Sequence, residues 1–309
     1  MKKIAIIQTG GTIASKSSDK YDKNYSISDV ALVEILPYEI STKAQISGVK
    51  FSQIDSKDAD VNFWLNLADC VCKTIKTNDA IVITHGTDTM CETAYFLSLV
   101  LDTNKPIIIT GAMRNSSSAS SDGELNLYNS VCLAMHEKSS GVMIAINDEI
   151  HSAKDVIKIH STNINAFVSP NFGKIGVINY GEVNFYTQTK QLKSRLVNTK
   201  EFIKTQIIYI YPGMDDEIFN IKSDVKGLVV IGYANATLPE NVKNKLEILA
   251  KNGVIIVVSA NTISGLITKE YENFITSNTL NPQKSRILLS LALSKTSNIN
   301  EIKKYFLTH

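Results

Sequence analysis

Apolar and polar positions along the 309-residue chain follow two alternating rhythms. Short continuous apolar runs at Ile4–Gln8, Ala80–Thr84, Pro106–Thr110 and Gly141–Ile146 read as buried strands. Between them, apolar residues recur three and four apart. Asp60–Lys76 carries Val61, Trp64, Leu65, Ala68 and Val71 on one helical face, and Thr89–Leu101 and Glu124–Lys138 also read as helices. An earlier helix is expected from Ser28 through Leu36, capped by Ser28 or Asp29, and an extended segment ends near Ile54. Strands separated by helices of about ten or more residues need crossover connections, so the pattern predicts a mostly parallel sheet covered on both faces.

A short hairpin is expected at Ile175–Tyr186, and the lysine-rich stretch that follows lacks regular periodicity. Beyond it the alternation resumes: strand Ile207–Tyr211, helix near Asp215–Ile221, strand Gly227–Ile231, helix Pro239–Lys251 and strand Val254–Val258. Two helices close the chain, Pro282–Leu293 and Asn298–Phe306, the first with proline in its opening turn, where a missing N–H costs nothing. The predicted fold class is therefore α/β: a large N-terminal domain over 1–186, a linker over 187–205 and a smaller C-terminal α/β domain over 206–309.

Hydrophobic residues at 44% and charged residues at 20% match an ordinary globular protein and exclude collagen-like or disordered classes. Lys plus Arg at 32 against Asp plus Glu at 30 gives a net charge of only +2, and the only arginines are Arg114, Arg195 and Arg286. Arginine supplies the bidentate fork for bases and phosphates, so this balance argues against a nucleic-acid partner and for a small molecule. Cys70, Cys72, Cys91 and Cys132 are too few for a disulfide scaffold and read as reduced thiols. The apolar stretch Ile4–Ile7 stops at Gln8, whereas an export signal needs about 7 to 15 apolar residues. No run approaches the ~18 of a membrane span. A cytoplasmic protein without membrane contact is expected.

In open parallel sheets ligands bind outside the carboxyl ends of strands, so the residues just after each run carry the chemistry. After the first strand comes Thr9-Gly10-Gly11-Thr12-Ile13-Ala14, two glycines in a tight turn with a hydroxyl at its tip. After Ala80–Thr84 comes His85-Gly86-Thr87-Asp88-Thr89, which sets a second hydroxyl beside a carboxylate. Helix capping by Thr87 and Asp88 is the competing explanation. The phosphate-cradling glycine patterns are absent. A threonine hydroxyl becomes nucleophilic only when a nearby group takes its proton, so two such loops point to acyl transfer. His85, just after a buried strand, reads as a hydrogen-bonded core residue rather than that base. His136, His151 and His160 show no metal-ligand spacing, so neither metal nor cofactor is expected.

These motifs, together with Gly111-Ala112-Met113-Arg114, Asp122–Asn129, Asp155–Lys158 and Thr279–Lys284, resemble the bacterial-type L-asparaginase/glutaminase family over nearly the whole chain. The resemblance implies hydrolysis of a side-chain amide to a carboxylate and ammonia through a threonine acyl-enzyme. It implies that Thr12 is the nucleophile, that Tyr25 sits on a loop closing over the substrate, and that Thr87, Asp88 and Lys158 form a second catalytic cluster. Burial would disfavour the Lys158 ammonium whereas Asp88 would favour it. The expectation is that Lys158 poises Thr87, or the water it orients, while Asp88 receives the substrate α-ammonium. The alternative for Lys158 is a solvated side chain beside Asp155. The polar stretch Ser15–Asn24 suits a lid or a plain surface loop. A homotetramer with sites shared between subunits is also implied.

Departures from the family pattern bear on the substrate. Its substrate-carboxylate loop usually has glutamine after serine, whereas this chain has Ser56-Lys57-Asp58. Ser56 can still bind an α-carboxylate. Lys57 either turns to solvent or pairs with that carboxylate. Gly232–Thr237 keeps Asn235, expected to serve a neighbouring subunit's site, but has Thr237 in place of a second asparagine. The stretch Ala260–Phe274 looks shortened, and neither Glu270 nor Glu272 matches the family's cross-subunit glutamate. Asparagine is therefore expected over glutamine. The alternatives are the glutaminase subunit of a tRNA-dependent amidotransferase, expected to carry sequence before its Thr-Gly-Gly-Thr loop, and a non-catalytic amino-acid-binding protein on the same scaffold.

Overall fold

The computed structural model describes residues 1–17, 26–27 (backbone only), 32–187, 196–215 and 219–309. It divides into two compact units, Met1–Lys193 and Ser194–His309.

In the first unit, β1 (Lys2–Gly10) buries Ile4, Ala5, Ile6 and Ile7 completely, which explains its unbroken apolar run. β2 (Ser15–Lys16) pairs antiparallel with β3 (Ser26–Ile27). The helix expected over Ser28–Leu36 is not found in its described part: residues 32–36 form turns, and α1 (Tyr38–Lys43) starts only after Pro37. A proline disfavours helical geometry in the residue before it, so Leu36 cannot carry a helix into Pro37. β4 (Ala44–Ile54) follows, then α2 (Val61–Thr74), whose N-cap Asp60 accepts the Phe63 N–H at 2.8 Å. β5 (Ala80–Thr84), α3 (Met90–Val100), β6 (Ile107–Thr110), α4 (Gly123–Met135) and β7 (Val142–Ile146) complete the expected alternation.

Four short strands come next: β8 (Glu149–Ser152), β9 (Ile157–Lys158), β10 (Phe167–Val168) and β11 (Gly176–Asn179). β12 (Glu182–Phe185) pairs antiparallel with β11 as the expected hairpin. One eight-stranded sheet has the order β12-β11-β8-β7-β6-β5-β1-β4. Its β7-β6-β5-β1-β4 portion is parallel, and β8, β11 and β12 extend it antiparallel. Leu127, Val131 and Ala134 of α4 join Ile4, Ile6, Val82 and Ile108 in one buried cluster.

The second unit holds a parallel sheet of four strands: β13 (Thr205–Tyr209), β14 (Gly227–Gly232), β15 (Ile255–Ala260) and β16 (Ile275–Thr276). α5 (Glu240–Lys251), α6 (Pro282–Leu293) and α7 (Ile299–Thr308) accompany it. Asn281 caps α6 through the Lys284 N–H at 2.9 Å, with Pro282 in the first turn. The described part of the helix expected near 215–221 has no α-helical residue. No helix among the described residues is long and apolar enough to cross a membrane.

Candidate active site

Leaving β1, the chain passes to β4 on one side of it and then returns to β5 on the other, so the strand order reverses between β1 and β5. The crevice outside the carboxyl ends at such a reversal is where open α/β sheets bind ligands. The loops after β1, β4, β5 and β6 meet there around a cavity of about 210 Å³, together with Lys158 and Ser161. That size suits a ligand smaller than a drug-like molecule.

Close approach of two backbones brings the threonines together. Gly11 has φ 81°, and a side chain there would lie 2.5 Å from the Gly86 Cα and N. Gly86 is tight against Ser56, where an added Cβ would sit 2.6 Å from the Oγ. With hydrogen alone at both positions the loops touch, and Thr12 and Thr87 line the same cavity. Thr12 opens a single 3₁₀ turn, Thr12–Ala14, and is only 9% exposed.

Lys158 Nζ donates to Thr87 Oγ1 at 2.9 Å and to Asp88 Oδ1 at 2.7 Å. Asp155 does not hold this lysine. Its buried carboxylate accepts the Asn171 N–H at 3.1 Å, the Asn171 Nδ2 at 2.8 Å and the Phe172 N–H at 2.8 Å. These bonds fasten the chain after β10, and β10 pairs with β9 in the register Phe167 to Lys158. Nor does Asp88 cap α3: the N-cap is Thr89, with no side-chain cap bond. Having accepted from Lys158, the Thr87 hydroxyl keeps its own O–H and one lone pair.

Ser56 is buried, and its Oγ accepts the Asp88 N–H at 3.2 Å, so its proton is available to a further acceptor. Lys57 is not among the cavity-lining residues. Its side chain is 65% exposed and its Nζ pairs with Asp55 Oδ2 at 2.7 Å. That hydrogen bond holds the Asp55 carboxyl below the usual carboxylate range, against an opposing push from burial. Asn235 lies in the second unit at φ 58°. Its Oδ1 accepts from the Thr268 N–H at 2.8 Å and the Lys269 N–H at 3.3 Å, which fixes a local turn. Tyr25 lies outside the described residues, as does most of the polar stretch before it.

His85 is a core residue. Its Nδ1 meets Gly86 O at 2.7 Å, so that nitrogen carries the proton. Its Nε2 then accepts from Thr93 Oγ1 at 3.1 Å, and Thr93 Oγ1 accepts from Trp64 Nε1 at 2.9 Å. Burial lowers its pKa to about 4.

Asp55, Met113 and Ser161 also line the cavity, and the sequence reading passed over them. Asp55 and Met113 follow the ends of β4 and β6, the positions where such residues are to be sought. The Asp122 carboxylate accepts the Met113 and Arg114 N–H groups at 3.0 and 2.9 Å, which shapes the loop after β6. Among the described residues, no three His, Cys, Asp or Glu side chains form a metal-binding group.

Comparison with known proteins agrees with this architecture. Residues 3–191 match the family described as "Asparaginase, N-terminal", and residues 204–306 match the "Glutaminase/Asparaginase C-terminal domain". The chain is 38% identical to the "Probable L-asparaginase periplasmic" of Haemophilus influenzae, over 98% of this chain and 92% of that protein. It is 34% identical to the "Glutaminase-asparaginase" of Acinetobacter glutaminasificans, over 98% of each. The crystal structure of a probable cytoplasmic L-asparaginase from Campylobacter jejuni superposes with a TM-score of 0.93 at 38% identity, over all of both chains. An α/β amidohydrolase architecture with a threonine-lined cleft at the sheet reversal is thus accompanied by similarity along its full length. The chain belongs to the asparaginase family.

Proposed function

We propose that this protein is an L-asparaginase, hydrolysing L-asparagine to L-aspartate and ammonia. The observation that carries the reading is one small cavity lined by Thr12 and Thr87, with Lys158 hydrogen-bonded to Thr87. The names of the relatives support it. Thr12 Oγ attacks the side-chain carbonyl carbon. The C–N bond then breaks, and the nitrogen leaves as ammonia after gaining the proton that Thr12 gives up. The aspartyl group stays on Thr12 as an ester. A water oriented by Thr87 and Lys158 attacks that ester, releasing L-aspartate and restoring the Thr12 hydroxyl. Ser56 donates to the α-carboxylate. Asp88, whose side chain is 59% exposed beyond its bond to Lys158, accepts the α-ammonium.

In the same reading Tyr25 closes over the substrate, and a homotetramer brings Asn235 to a neighbouring subunit's cleft. A cytoplasmic location is part of it too, by analogy with the probable cytoplasmic L-asparaginase of Campylobacter jejuni. Asparagine is the preferred substrate, because one methylene changes the fit of a small pocket by about 1–3 kcal/mol. Ammonia release from asparagine and glutamine under matched conditions tests this, with kcat/KM expected roughly 10- to 200-fold higher for asparagine. Equal values reject the preference, and release from neither amide rejects the activity.

A further inference from the structure

Asp55 is an acid in the cavity wall that the mechanism above leaves without a task. It follows β4 and lines the cavity together with Ser56 and Asp88. Two bonds hold its carboxylate, both from Lys57. The Nζ donates to Oδ2 at 2.7 Å, and the backbone N–H donates to Oδ1 at 3.2 Å, capping the 3₁₀ turn Ser56–Asp58. An ionised carboxylate offers about four acceptor sites, so capacity remains. Lys57 is largely exposed and absent from the cavity wall, so it holds Asp55 without filling the cleft. Among the described residues lining the cavity the cation is Lys158, which is bonded to Thr87 and Asp88 and whose charge also acts, as the smallest of the causes, to lower the Asp55 pKa. A second wall carboxylate therefore has room for a cation brought by the ligand.

We infer that Asp55 is a specificity-determining residue that, with Asp88, reads the α-ammonium of the substrate, and that Lys57 is its positioning residue. The inference rests on the amino-acid amide reading of this cleft. It means that the cleft selects amides with a free α-amino group. An amide lacking that group offers no cation to either carboxylate and sets its own negative charge beside them.

Succinamate is the matching probe, since it is asparagine with hydrogen in place of the ammonium. kcat/KM for asparagine and succinamate is measured in the unmodified protein and in Asp55→Asn, which keeps a side chain that caps the turn. Dissociation constants for L-aspartate and succinate, measured by calorimetry, give the same comparison without turnover. The substitution is expected to lower kcat/KM for asparagine by about tenfold, mainly through KM, while the succinamate value holds or rises. The binding preference for aspartate over succinate should fall by a similar factor. Equal losses on both substrates, or an unchanged binding preference, overturn the inference. If neither amide is hydrolysed but the binding preference still collapses, the asparaginase reading fails and the role of Asp55 stands. In Lys57→Met the acid limb of kcat/KM for asparagine should move to higher pH, because Asp55 loses the side-chain hydrogen bond that does most to lower its pKa and keeps burial, which raises it, against the weaker pull of Lys158. An unmoved limb removes Lys57 from the proposal.

Discussion

At Gly11, φ 81° and ψ −179° place the chain in a region that is almost exclusive to glycine, directly against the Gly86 backbone. Gly11→Ala is therefore strained twice, by its own conformation and by a Cβ 2.5 Å from backbone that cannot swing aside. The expected cost is at least about 2 kcal/mol in urea unfolding, with a loss of activity as Thr12 shifts from Thr87. A variant with wild-type stability and turnover would show that the loops do not depend on this contact. The two threonines were legible in the sequence because each follows an apolar run within a glycine-containing loop. Asp55 was not, since its place in the wall depends on how β4 ends beside loops distant in sequence. The direction taken by Lys57 was equally hidden, as it depends on the bond to Asp55.

Elements with long, regular patterns were readable: α2, α3 and β5 fall where their apolar spacing puts them, and α6 where Pro282 opens its first turn. The helix expected over Ser28–Leu36 is absent from its described residues 32–36; Pro37 excludes helical geometry for Leu36 alone, and the turns before it have no such single cause. β9 and β10 have two residues each and carry no period at all, yet they present Lys158. Besides their own pairing and the burial of Val156, Ala166 and Phe167, they are held by the Asp155 carboxylate. Asp155→Ala leaves the backbone N–H groups of Asn171 and Phe172 without their acceptor, so a loss of about 1–3 kcal/mol is expected. kcat should fall with it, as Lys158 loses its fixed distance to Thr87. Thermal unfolding and turnover of the variant check both, and destabilisation with unchanged kcat would separate this hairpin from catalysis.

For the molecule as a whole, the parallel portion of the sheet and its reversal at β1/β5 followed from the alternation of runs and helices, and they locate the cleft. Of the antiparallel extension, the β11–β12 hairpin was expected, but β8 was not, because it is short and mixed in polarity. Stability against acid is also a property of the whole fold. Burial brings both His85 and His151 to a pKa of about 4, from 6.5. Between these values the unfolded chain takes up protons that the folded chain refuses, so stability is full above pH 6.5 and falls as pH drops toward 4. The contribution of His85 is on the order of 3 kcal/mol. Unfolding free energies measured at pH 7 and pH 5 should show the decline, and His85→Gln should flatten it. A pH-independent stability across that window would contradict the burial argument.

In the proposed reaction Thr12 carries the aspartyl group during turnover. Acid-quenching the protein with isotopically labelled L-asparagine and locating the label by peptide mass spectrometry tests it directly. Labelled aspartyl ester is expected on the peptide containing Thr12 and none in Thr12→Ala. Label on Thr87 instead, or steady ammonia release from Thr12→Ala, would contradict it.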